Sequence, residues 1–165
     1  MPTDPAAEEA TAANPAPRDR VPAEPVPLDL DRLCDTIEDC YEFTLSYAAK
    51  GLATEDGSGL GRQLREKLAN ATEAMRGLNR ACAAAARALG LTPAAPYDSF
   101  FAVLARDAES SIAALELVLA QPLISSQLID NLNASIHLRA LLTDLFLVAE
   151  IFSLRQAQPG ADAPR

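Results

Sequence analysis

Four stretches of the chain repeat the same hydrophobic rhythm. Leu30, Cys34, Ile37, Tyr41, Thr44 and Ala48 recur at steps of four and three, which places them on one side of a 3.6-residue helix. Leu64, Leu68, Ala71, Met75, Leu78, Cys82, Ala85 and Leu89 continue the rhythm over seven steps. A third stripe runs through Tyr97, Phe101, Leu104, Ala108, Ser111, Leu115 and Val118, and a fourth through Leu128, Asn131, Ser135, Leu138, Leu142, Leu145, Ala149 and Phe152. No stretch alternates at period two, so no strand is expected.

Start and stop signals bound the stripes. Asp29 can cap the first helix, with Leu28 and Leu33 spaced as a hydrophobic staple, and Gly51 ends it. Gly90 stops the second helix and Leu91 folds back on its last turn. Asp98 or Ser99 caps the third, and Pro122 closes it through the residue before it. The expected helices span 29–50, 59–89, 98–121 and 124–155. Short links between long amphipathic helices give an all-α fold, an antiparallel up-down four-helix bundle over 28–156. Residues 1–27 hold seven of the twelve prolines and seven alanines. Such a segment buries no core, so it is expected to be a disordered tail, as is the shorter 157–165.

Composition agrees with helix and narrows the chemistry. The 165 residues are 49% hydrophobic but only 5% aromatic, so Ala and Leu carry the core. The net charge of −9 argues against nucleic acid, which is held by clustered Lys and Arg. Arg outnumbers Lys 12 to 2, which with abundant Ala and Pro points to a GC-rich bacterial genome. The first helix carries six acids and two bases between Asp29 and Lys50, the second six bases and two acids between Arg62 and Arg87. That pattern makes the two helices expected neighbours, although one exposed ion pair contributes only ~0.2–1 kcal/mol. The most apolar stretch, Leu141 to Phe152, carries Asp144 and Glu150 and falls short of the ~20 apolar residues of a membrane span. The N-terminus lacks an apolar signal region, and three cysteines is an odd number. Both lead to an expected cytoplasmic location with reduced thiols.

The richest stretch, CDTIEDCYE from Cys34 to Glu42, splits on the helix. Cys34, Ile37 and Tyr41 fall on the seam; Asp35, Glu38, Asp39 and Glu42 fall on the other side. A structural zinc site usually shows close ligand pairs such as CxxC, and Cys34, Cys40 and Cys82 offer none, so they read as small apolar residues. EDCYE, Glu38 to Glu42, resembles the first half of the EExxE…ExxD motif of all-α (MazG-like) nucleotide pyrophosphatases. The resemblance implies Mg²⁺ held by Glu38 and Glu42 with a nucleotide phosphate. The second half departs from the pattern, because Glu66 is followed by Ala69 and Glu73 by Arg76. SIHLRALL around His137 resembles the phosphoacceptor helix of phosphotransfer domains, but Arg139 comes two residues after the histidine rather than three. His137 reads as a surface histidine beside Asp130 and Asp144. No catalytic residue, cofactor or metal site is expected from the remaining sequence.

The fourth helix carries a second apolar face. Opposite its stripe lie Ile129, Ile136, Leu147, Ile151 and Leu154. Five large aliphatics on one nominally wet face exceed scattered exceptions, and Asn131 and Ser135 put polar groups in the seam, where such residues often fix oligomer state. The expected function is non-enzymatic: an adaptor, chaperone or regulator acting by protein–protein interaction, with these five residues forming a homodimer interface or meeting a heterologous protein. The alternatives are the magnesium-dependent pyrophosphatase and an amphipathic coat on a lipid or polymer surface.

Overall fold

A computed structural model describes residues 27–54 and 59–157, with side chains from residue 30 onward. The chain is all-helical there, with no strand among the described residues. Its elements are α1 (Pro27–Ala48), α2 (Gly59–Ala88), α3 (Ala94–Leu119), α4 (Ser126–Ala134) and α5 (Ile136–Ala157). The expected tails lie almost wholly outside the described residues, as do the side chains of the Leu28 staple and the Asp29 cap.

The helices pack in chain order. α1 lies along α2, α2 along α3, and α3 along α5, while α4 rests on α1. The 4-3 stripes supply the core: Ile37, Leu64, Leu68, Leu78, Leu104, Leu115, Leu138, Leu142 and Leu145 are all buried. Phe101 of α3 and Phe152 of α5 meet edge to face, with centroids 6.5 Å apart. Gly77 lets α1 come close to α2, since a Cβ there would stand 3.3 Å from Leu33 Cδ1.

The ends of the helices follow local chemistry. Gly90 takes φ +62°, and the amides of Gly90 and Leu91 donate to Arg87 O and Ala86 O at 3.1 Å each, closing the last turn of α2 with Leu91 buried. α3 starts earlier than expected. Its N-cap is Pro93, in extended conformation, and Pro96 falls within the first turn, where a missing amide costs little. Asp98 and Ser99 are therefore exposed helical residues rather than caps. At the other end the Arg65 guanidinium donates to Leu119 O at 3.1 Å and Gln121 O at 2.9 Å, meeting carbonyls that α3 leaves open.

The expected single fourth helix is two helices. Ser125 caps α4, its Oγ accepting from Leu128 N at 3.1 Å, and the chain leaves helical geometry at Ser135 (φ −59°, ψ 135°). No proline or glycine causes the break. Asn131, Asn133 and Ser135 weaken the helix locally by competing for its backbone groups, and tertiary packing uses the weakness. Without the break, Ile129 and Leu132 would share a face with Ile136 and Leu147. With it, Ile129 and Leu132 turn into the core against α1 and α3, while α5 buries Leu138, Leu141, Leu142, Leu145, Val148 and Phe152. Asn131 consequently lies exposed instead of in the seam, and Asn133 takes the buried place. The Asn133 amide and the Ser111 hydroxyl are buried without a hydrogen-bond partner.

A polar clasp holds α4 on the end of α1. Ser126 Oγ donates to Tyr47 O at 2.8 Å and accepts from Leu52 N at 2.9 Å. Ser126 N donates to Leu52 O at 2.9 Å, and the buried Tyr47 hydroxyl donates to Ile124 O at 3.0 Å. The hydroxyls of Ser126 and Tyr47 and the amide of Leu52 thereby each have a partner.

Candidate interaction surface

Helix α5 has two opposed apolar faces, and its neighbours cover only one of them. The side facing α3 and the core is closed. The outer side is not: Ile136 is 73% exposed, Leu147 50% and Leu154 53%, with Ile151 half-buried. At 100° per residue these four, with Ala140 and Thr143, form one continuous stripe opposite the buried one. Ile129 does not belong to it. It is 0% exposed, because the break at Ser135 turns it inward, so the expected five-residue face is corrected to a four-residue stripe on α5. Phe146, 56% exposed, flanks the stripe. The sequence reading passed over it because it lies on neither stripe; an aromatic flanking two opposed apolar faces was the available signal.

A groove opens on the Phe146 flank, where α1 and α5 splay apart and touch little. Its deeper part, of about 350 Å³, is floored by Leu30, Cys34, Leu145, Val148 and Phe152, with Asp31, Asp35 and Glu38 on the α1 rim. A shallower part follows between Glu38, Tyr41 and Glu42 of α1 and Arg139, Leu142 and Phe146 of α5. The α1 rim is thus a row of carboxylates above an apolar floor.

The electrostatics follow from this arrangement. Partial burial raises Glu38 above the usual carboxylate range, reinforced by Asp35 and Glu42. Asp39 pairs with Lys67 of α2, and Arg76 of α2 reaches Glu73 on its own helix and Glu116 of α3. Burial raises the Cys34 thiol to about 11, with Glu38, Asp31 and Asp35 adding to it. Burial raises Cys40 and Cys82 to about 12. All three are free thiols that stay protonated at neutral pH, in keeping with packing rather than nucleophilic chemistry. Glu38 and Glu42, the carboxylates of the pyrophosphatase resemblance, face Arg139 across the groove. Among the described residues no three His, Cys, Asp or Glu side chains gather closely enough to share an ion. His137 is exposed.

One half-exposed contact makes a pH prediction. Asp144 of α5 is raised by partial burial, by a side-chain hydrogen bond with Asp107 of α3 and by that group's charge. A carboxyl whose folded value lies above its unfolded value binds a proton more tightly when folded. Its contribution is present below the unfolded value and is lost as pH rises through the folded one. Asp144→Asn is therefore expected to raise the midpoint of urea unfolding at pH 7 and to gain nothing near pH 4. A gain that is the same at both pH values would show that Asp144 and Asp107 do not share a proton.

Neither a protein-family model nor a curated protein nor a solved structure matches the chain. No helix of the described residues is long and apolar enough to cross a membrane.

Proposed function

We propose that this chain is a non-enzymatic helical-bundle protein that acts by protein–protein contact, as an adaptor, chaperone or regulator, and that it self-associates through the outer face of α5. The architecture behind the reading is an antiparallel up-down four-helix bundle in which α4 and α5 together serve as the fourth helix. The order of packing, α1 on α2, α2 on α3, α3 on α5 and α4 back on α1, supports it.

The observation that carries the reading is the exposed stripe Ile136, Leu147, Ile151 and Leu154 on a helix whose opposite face is already buried. Covering such side chains contributes about 1.5–3 kcal/mol each when burial is complete. Three are half exposed or more, so the yield is roughly 5 kcal/mol per copy. A two-fold axis doubles that, and association costs remove much of it. The balance fits a reversible dimer rather than an obligate one.

Charge selects the orientation. Arg139 and Glu150 flank the stripe on the same side. An antiparallel pair of α5 helices centred near residue 145 brings Arg139 of each copy to Glu150 of the other and Ile136 to Leu154; a parallel pair sets like charges at the same level. Methyl-labelled protein mixed with a differently labelled copy tests this directly. An intermolecular contact between Ile136 and Leu154 methyls is the expected result. Intermolecular contacts confined to other helices would remove the stripe from the interface.

A further inference from the structure

The fourth side of the bundle crosses over at Ser135. α4 rests mainly on α1, and α5 mainly on α3. A straight fourth helix would lie between α1 and α3 along its whole length. The bend therefore carries α5 away from α1, and the groove floored by Leu30, Cys34, Leu145, Val148 and Phe152 is the gap it leaves.

The bend is confined to one dihedral angle. Ser135 is the single non-helical residue between α4, which ends at Ala134, and α5, which starts at Ile136. Its φ of −59° is already helical, and only its ψ of 135° departs from the helical value of about −42°. Local terms favour a continuous helix. The amides of Ile136, His137 and Leu138 open α5 with no preceding turn to accept them, and a continuous helix would offer them the carbonyls of Leu132, Asn133 and Ala134. The Asn133 amide, buried without a partner, would turn outward beside Ala140, since residues seven apart lie nearly in line on a helix of ~3.6 residues per turn. Against this, the bent form buries Ile129 and Leu132 and makes the Ser126 clasp. Opposed terms of this kind make a bistable element.

We propose that Ser135 is a hinge that opens and closes the α1/α5 groove. Rotation of its ψ joins α4 and α5 into one helix from Ser126 to Ala157, and that helix, settling between α1 and α3, closes the groove over Cys34. The two events are one transition. Whatever fills the groove favours the bend, and whatever straightens the helix empties the groove. The hinge acts within a single chain and does not depend on self-association.

Asn131→Leu with Ser135→Leu in the full chain drives the hinge. In the bent form Asn131 is exposed and Ser135 half-buried. In a continuous helix both fall on the stripe of Leu138, Leu142 and Leu145, which faces the core. Amide exchange at Ile136, His137 and Leu138 reports the helix. Modification by N-ethylmaleimide at Cys34, the one half-buried thiol, reports the groove, and the buried Cys40 and Cys82 report loss of the fold. In the double variant the three amides should exchange, and Cys34 should react, at least about tenfold more slowly than in the parent, the size of a shift from mainly bent to mainly straight. Cys40 and Cys82 should stay unreactive in both proteins. Ser135→Pro, whose ring fits the observed φ but not a helix interior, should keep both parent rates. Protected amides beside an unchanged Cys34 would overturn the proposal, because the helix would then straighten without closing the groove. Parent rates at both places would overturn it too. If Cys40 and Cys82 react in the double variant, Ser135→Leu alone decides by the same two rates.

Discussion

Leu147→Glu combined with Leu154→Glu is expected to leave a folded protein that no longer self-associates. Both side chains are half exposed on the outer face of α5, so in the monomer each carboxylate stands in water and costs little. In the proposed dimer each would be trapped in an apolar seam. An unpaired buried charge costs several kcal/mol, and the two-fold axis brings every substitution in twice. The self-association constant should fall by at least about thousandfold, which corresponds to ~4 kcal/mol. Helical content and the urea midpoint at low protein concentration should match the parent. If the variant unfolds, the stripe is part of the core; if it associates as tightly as the parent, the interface lies elsewhere. Leu117→Glu is the control, because Leu117 is even more exposed, on α3, and lies outside the stripe.

The second large effect is expected at the α1–α4 corner. Ser126→Ala removes the hydroxyl that bridges Leu52 N and Tyr47 O. Tyr47 O keeps a bond from Lys50 N at 3.1 Å, but Leu52 N loses its partner in a partly buried place. A stranded amide there costs on the order of 2 kcal/mol, and the substitution should lower the unfolding free energy by about that amount. Ser125→Ala, which removes only the N-cap of α4, should cost about 1 kcal/mol. Equal effects at the two positions would mean that the corner is wet and the clasp contributes nothing beyond capping.

This corner decides how the segment after Pro122 folds. α2 was fully legible, since seven regular steps from Leu64 to Leu89 and a Gly90–Leu91 stop admit one reading. The segment after Pro122 was not. Its apolar residues lie on two opposed faces, and periodicity alone gives both equal standing. The choice between them is made by contacts distant in sequence: Ser126 with Tyr47 and Leu52, and Ile124 with the Tyr47 hydroxyl. These seat α4 on α1 with Ile129 and Leu132 inward, and the chain then breaks at Ser135 so that α5 can bury the other face. Local sequence permits a break there but does not demand one, with no proline or glycine to mark it. Ile129 and Asn131 were for this reason assigned to the wrong sides.

The interaction surface was legible in part for the same reason. Ile136, Leu147, Ile151 and Leu154 follow the α5 rhythm, so their common face was readable once that helix was given a buried stripe. The α1/α5 groove was not readable. It exists because α4 spaces the distal part of α1 while α5 leans on α3, and that splay is a property of the assembled helices. Cys34 shows the limit well: its spacing put it in the seam, and it lines the floor of an open groove.

Self-association through α5, as proposed, makes the mass of the chain depend on its concentration. The mass of the full chain in solution, followed by light scattering from about 1 to 200 µM, tests it most directly. The mass is expected to climb with concentration from that of the 17.5 kDa chain toward twice that value and to stop there, because a closed two-fold interface admits no third copy. A mass fixed at that of one chain throughout the range would contradict it, and a mass that climbed without limit would contradict the closed antiparallel pair.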